Sequence, residues 1–165
     1  MRKNVLASLA AIALSAVLVS ACNQEKEKMA NHSYTLSDES NQEFLTDNAA
    51  KDGVVKRPSG LQYRVVHAGN GKSVTNGGDM VTVTYKGWLI NGKVFDQTPP
   101  GQTTKFPAGR LIPGWVEALS LMKEGDEWQL VIPSDLAYGA RGAGADIPPN
   151  QTLVFDMKLI AVNAP

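Results

Sequence analysis

The segment Tyr138-Gly139-Ala140-Arg141-Gly142 runs through Ile147-Pro148-Pro149 into Thr152-Leu153-Val154-Phe155-Asp156. A partly exposed tyrosine, a glycine-rich loop and an alternating strand carrying a phenylalanine can build one wall of an apolar pocket. Upstream, Tyr85, Val94-Phe95-Asp96 and Leu111-Ile112-Pro113-Gly114-Trp115 add rings, aliphatic groups and one carboxylate. Other chemistries find little support. Gly139, Gly142 and Gly144 lack the spacing of a dinucleotide loop, and Ser134-Asp135 has no histidine near it for a hydrolase triad. The two histidines, His32 and His67, and the one cysteine, Cys22, are scattered, so neither a metal site nor a cofactor is expected. Sixteen basic residues balance sixteen acidic ones, and no basic cluster lies in the domain. That balance argues against a nucleic-acid partner.

These residues need a scaffold, and from Leu61 onward the chain takes on the texture of strands. Leu61-Gln62-Tyr63-Arg64-Val65-Val66 alternates, and Asn76-Gly77-Gly78-Asp79 is a turn before Met80-Val81-Thr82-Val83-Thr84-Tyr85. Asn91-Gly92 signals a tight turn between Trp88-Leu89-Ile90 and Val94-Phe95. Residues 127–132 and 152–162 are two further strands. Pro113 sits where a first helical turn begins, and Trp115, Leu119 and Met122 form one apolar stripe that closes at Gly125. The expected fold is α+β: a curved antiparallel sheet of five to six strands packed on one short helix. No βαβ rhythm and no internal repeat is present.

The first 21 residues read as a signal peptide. Arg2 and Lys3 precede an apolar run over 5–19 that is short for a membrane span. Leu18-Val19-Ser20-Ala21-Cys22 resembles a bacterial lipobox, in which the Cys22 thiol accepts a diacylglycerol. Such an anchor holds a protein on a membrane without spanning it. Removing residues 1–21 takes away two of the sixteen basic residues and no acidic one, leaving 14 against 16, net about −2. Residues 22–58 are expected to be a lipidated tether, polar to about 42, with a short helix over 44–50 stopped by Gly53. The main domain is assigned to 59–165.

Over residues 59–162 the motifs together resemble a peptidyl-prolyl cis/trans isomerase of the FKBP type. The resemblance implies rotation about Xaa-Pro amides, whose barrier is ~18–20 kcal/mol because twisting destroys amide resonance. Neither nucleophile nor metal is needed. A dry cradle suffices if it binds the twisted amide better than the planar one. By resemblance Tyr85, Phe95, Asp96 and Tyr138 are the catalytic set, with Tyr85 bonded to Asp96. Trp115 is the platform under the proline ring. Phe106, Leu111, Ile112, Ile147 and Phe155 complete the substrate-binding walls, and the Ile112 N–H donates to the substrate carbonyl.

Many relatives carry an arginine within a few residues of this aspartate, whereas residues 97–104 here contain no cation. Lys105 and Arg110 are the candidates to replace it. Asp146 and Ala143 stand where some relatives have an apolar residue and a histidine, changes that bear on substrate preference. The resemblance further implies proline-containing polypeptides as partners, macrolide-type inhibitors as ligands, and a monomer, since the N-terminal stretch is shorter than the helical dimerisation arm of periplasmic relatives. Asn23 after Cys22 resembles an outer-membrane signal and leaves open a periplasmic or a surface-facing domain. Two other readings stay open: a chaperone-like proline-binding module with little turnover, and a surface interaction lipoprotein that uses the fold as a scaffold.

Overall fold

The computed structural model describes residues 33–163. The chain divides into Met1–Ser33 and Tyr34–Pro165, and the elements of the described residues lie in the second unit. In chain order these are helix α1 (Asp38–Ala49), strands β1 (Val54–Lys56), β2 (Gln62–His67), β3 (Met80–Leu89), β4 (Val94–Gln97) and β5 (Thr104–Pro107), helix α2 (Pro113–Leu121), and strands β6 (Glu127–Ile132) and β7 (Leu153–Asn163). Two 3₁₀ turns, Ser134–Leu136 and Gly139–Arg141, lie between β6 and β7.

The strands form one antiparallel sheet in the order β1-β2-β6-β7-β3-β4, with β5 also paired to β3. The α+β architecture is as expected, with seven strands and two helices among the described residues. The additional strands β1 and β5 are three and four residues long, too short to display an alternation. Strand β3 is the spine. It pairs with β7 along its full length, from Met80↔Asn163 to Leu89↔Leu153. Its other edge is shared by β5, opposite Met80–Val83, and β4, opposite Lys86–Trp88.

Helix α2 starts on Pro113, whose missing N–H and fixed φ suit a first helical position. Its stripe Trp115, Ala118, Leu119, with Met122 just beyond, is buried against Val81, Val83, Leu130, Ile132, Phe155, Met157 and Leu159 of the sheet. This is the core.

Helix α1 begins at Asp38, six residues before the expected start and inside the stretch expected to be tether. Ser37 caps it through Ser40 N–H→Oγ (3.2 Å), and Asp38 and Glu39 favour the positive end of the helix dipole. It has no apolar stripe because its inward residues are amides. Asn41 and Asn48, seven apart on one face, are 3% and 5% exposed. Asn48 Nδ2 donates to Gln62 Oε1 (2.9 Å), and Gln62 Nε2 donates to the Leu45 carbonyl (2.8 Å).

Candidate active site

Tyr85, Phe95, Asp96, Phe106, Arg110, Leu111, Ile112, Trp115, Tyr138 and Phe155 surround a cleft of about 490 Å³. Each comes from an element whose geometry explains its position. Tyr85 lies in β3, Phe106 in β5 and Phe155 in β7, all on the sheet face that α2 covers. Leu111 and Ile112 lead into α2, and Trp115 occupies its first turn. Tyr138 precedes the second 3₁₀ turn and is 41% exposed at the rim.

A β-bulge sets the Phe95–Asp96 corner. Gly87 pairs with Asp96 and Trp88 with Val94, so Phe95 is the extra residue. Neighbours in a regular strand point to opposite faces. The bulge redirects the chain, and both Phe95 and Asp96 line the cleft. Gly87 makes room for this: a Cβ there would stand 2.6 Å from Phe155 Cε1 and 2.7 Å from Phe95 Cζ.

The floor is Trp115, only 4% exposed, with three rings packed edge-on around it. Tyr85, Phe155 and Phe106 have centroids at 5.0, 5.2 and 6.0 Å from it, at interplanar angles of 82°, 80° and 83°. Phe95 meets Phe155 edge-on at 5.5 Å. Edge-to-face contacts of this kind hold the rings more firmly than area burial alone.

The polar content of the cleft is small. Tyr85 Oη donates to Asp96 Oδ2 at 2.7 Å. Burial, then the hydrogen bond to Asp96 and the charge of that carboxylate, push the Tyr85 phenol above its ordinary value. The Tyr138 phenol is raised by burial and then by Asp96. The ion pairs among the described residues are Arg57–Glu117, Lys93–Asp146 and Lys158–Glu127, so neither Lys105 nor Arg110 pairs with Asp96. Arg110 nonetheless lines the same cleft. The Ile112 carbonyl accepts from Trp115 and Val116 N–H at 2.9 and 3.1 Å, while the Ile112 N–H has no acceptor among the described residues. It is free to donate.

Nine of the ten expected pocket residues therefore meet in one cleft, and Ile147 does not. It is 7% exposed and packs in the core, and its backbone exchanges hydrogen bonds with Ala143 (2.8 and 3.1 Å). Through those bonds it braces the loop that carries Tyr138. Cys22 lies outside the described residues. Gly87 is the position that sequence reasoning did not single out, although a glycine inside a ten-residue strand is a signal for close approach. Arg110 was a candidate cation for Asp96, and it lines the cleft without pairing with that carboxylate.

A larger groove, about 570 Å³, includes Lys86, Gln129, Asp156 and Lys158 in its lining. Lys158 is bound to Glu127 (2.6 Å), and Gln129 donates to Asp156 (3.0 Å). Its polar strand residues pair with one another, and it lacks the cluster of rings found in the smaller cleft. Its residues match a solvated sheet face.

The family model described as FKBP-type peptidyl-prolyl cis-trans isomerase matches residues 71–160, and the model of the domain amino-terminal to such isomerases matches 4–65. The chain is 47% identical over 147 residues to a probable FKBP-type peptidyl-prolyl cis-trans isomerase FkpA of Neisseria meningitidis, covering 86% of this chain and 54% of that one. It is 48% identical over 120 residues to an outer membrane protein MIP of Legionella longbeachae, covering 72% and 51%. The chain thus spans about half the length of these curated relatives. Among solved structures, FkpA from Escherichia coli matches with a TM-score of 0.73 and 36% identity, over 99% of this chain and 74% of that one. This chain belongs to the FKBP-type peptidyl-prolyl cis-trans isomerase family.

Proposed function

We propose that this protein accelerates rotation about Xaa-Pro bonds in polypeptides folding outside the cytoplasm. The observation that carries the reading is the convergence of Tyr85, Phe95, Asp96, Trp115, Tyr138 and Phe155 on one cleft. A scaffold has no physical need for all six.

The proline ring sits on Trp115 between Phe155, Phe95 and Phe106, which exclude water from the amide. A twisted amide has a more basic nitrogen and a less delocalised carbonyl, so it tolerates the dry cradle better than the planar amide does, and the barrier falls. The Ile112 N–H holds one substrate carbonyl, leaving the prolyl bond as the free rotor. Tyr85 fixes the Asp96 carboxylate beside the reacting carbonyl, and the Tyr138 hydroxyl donates to the chain at the rim. Uncatalysed isomerisation takes tens to hundreds of seconds, slow enough to limit folding.

Residues 1–21 are proposed as a cleaved signal and Cys22 as the lipidated residue, placing the domain at a bacterial membrane. The relative named outer membrane protein MIP supports a membrane location. No helix among the described residues is long and apolar enough to cross a membrane. The proposal extends to a monomer and to macrolide-type inhibitors in the same cleft. A second reading is binding of proline-containing chains with little turnover. The lack of an ion-pair partner for Asp96 favours it.

The two readings separate in one assay, the cis-to-trans relaxation of short Xaa-Pro peptides with Xaa varied. Acceleration at substoichiometric protein supports the isomerase. Saturable binding with unchanged relaxation supports the module.

A further inference from the structure

We infer that the N-terminal helix positions the active-site loop, through a buried amide clamp formed by Asn41 and Gln151. The inference rests on the isomerase reading. Gln151 follows the Pro148-Pro149-Asn150 turn that closes the Tyr138 loop, and it is 3% exposed. Its Nε2 donates to the Leu36 carbonyl (3.0 Å) and to the Pro149 carbonyl (2.8 Å), while its Oε1 accepts from Asn41 Nδ2 (3.3 Å). Asn41 Oδ1 accepts from the Thr152 N–H (2.7 Å), and Asn41 Nδ2 also donates to the Ser37 carbonyl (2.9 Å). Two buried amides therefore tie the start of α1 to both sides of one turn.

From that turn the path to the cleft is one residue long. The Asn150 N–H donates to the Gly139 carbonyl (2.9 Å), and Gly139 is the immediate neighbour of Tyr138. Asn150 turns the chain at φ +61°, a left-handed conformation that asparagine tolerates better than most residues. The clamp on Pro149 and Thr152 holds the residues on either side of it. Loss of the Gln151 donors frees the Pro149 carbonyl, lets Asn150 shift, and moves the hydroxyl of Tyr138 with it.

Helix α1 contains its own control. Asn48 is as buried as Asn41, on the same face, and bonds to Gln62 in β2, far along the helix from the loop. A purely structural helix gives the two asparagines equal weight. A positioning helix does not. Asn41 and Gln151 are thus positioning residues, acting on substrate through Tyr138, and the arm is a part of the enzyme that sets its rate.

The experiment compares Asn41→Ala, Gln151→Ala and Asn48→Ala in the full chain, at a temperature where thermal melts show each folded. The expected result is that Asn41→Ala and Gln151→Ala lower kcat/KM on Xaa-Pro peptides about three- to tenfold, as misplacement of a positioned group does. Asn48→Ala melts earlier to a similar degree and keeps the wild-type kcat/KM. The Tyr138 ring resonances shift in the first two variants and stay in place in the third. Gln151→Ala, which removes the donors to Leu36 and Pro149 and leaves α1 unaltered, carries the test if Asn41→Ala does not fold. Equal kcat/KM for the Asn41 and Asn48 variants, or unmoved Tyr138 resonances in Gln151→Ala, overturns the inference. Inactive wild type in the same assay would instead contradict the isomerase reading.

Discussion

Gly87 shows how much of the site depends on a residue with no side chain. Phe95 and Phe155 occupy the space where its Cβ would be. Gly87→Ala must push both rings toward the proline seat, so we expect kcat/KM to fall at least tenfold, with a stability loss of about 1–3 kcal/mol from overpacking. Peptide kinetics and denaturant titration of the same variant check both. Tyr85 gives a second prediction. Its phenol is raised in the folded protein, so the fold retains a proton that the unfolded chain releases near pH ~10. The corresponding stabilisation is complete below that pH and is lost as pH rises through the folded value. Urea midpoints measured upward from pH ~9 should therefore fall less steeply for Tyr85→Phe than for the wild type. The ring types of the pocket were legible in the sequence because each sits in a motif. The bulge that turns Phe95 and Asp96 into one cleft was not, since a one-residue insertion leaves no mark in an alternation four residues long.

Helix α2 was the element most open to sequence reading. Pro113 and the stripe Trp115, Leu119, Met122 announce it, and these residues are buried in the structure as the spacing requires. Trp115 belongs both to that core and to the cleft floor. Trp115→Ala should accordingly lower stability by about 3–5 kcal/mol, as large-to-small core changes do, and weaken proline-peptide binding. Denaturant unfolding and peptide titration distinguish the two losses. Helix α1 was read only in its second half. Hydrophobic periodicity is the signal for an amphipathic helix, and α1 buries asparagines instead. Their partners, Gln62, Gln151 and Thr152, are distant in sequence or hidden in a strand and a turn, so nothing local announces the contact. The Ser37 cap with Asp38 and Glu39 behind it was the one available clue.

At the scale of the domain that begins at Tyr34, a sheet with its spine at β3 and a helix across one face leaves an aromatic cleft at the mouth of the core. The β5–α2 connection and the Tyr138 loop frame that mouth. The Lys93–Asp146 pair (3.1 Å) links the β3–β4 turn to the loop, but both partners are well exposed and such pairs contribute little. The buried clamp at Gln151 is the stronger restraint. The proposed membrane attachment through Cys22 is testable apart from the fold. Cys22→Ala should move the protein from the membrane pellet to the soluble fraction with peptide kinetics unchanged; retention in the pellet contradicts the lipid anchor.

The central claim is that this cleft turns over prolyl bonds and does more than hold them. Exchange spectroscopy on a Leu-Pro peptide at equilibrium measures this directly, because cis and trans resonances report interconversion without any coupled reaction. With catalytic amounts of wild-type protein the exchange rate should rise well above that of free peptide, and Asp96→Leu should lose about tenfold or more of the increase, the equivalent of one hydrogen-bonded charged group. Binding-induced shifts with no added exchange, or equal exchange in Asp96→Leu, would contradict the account.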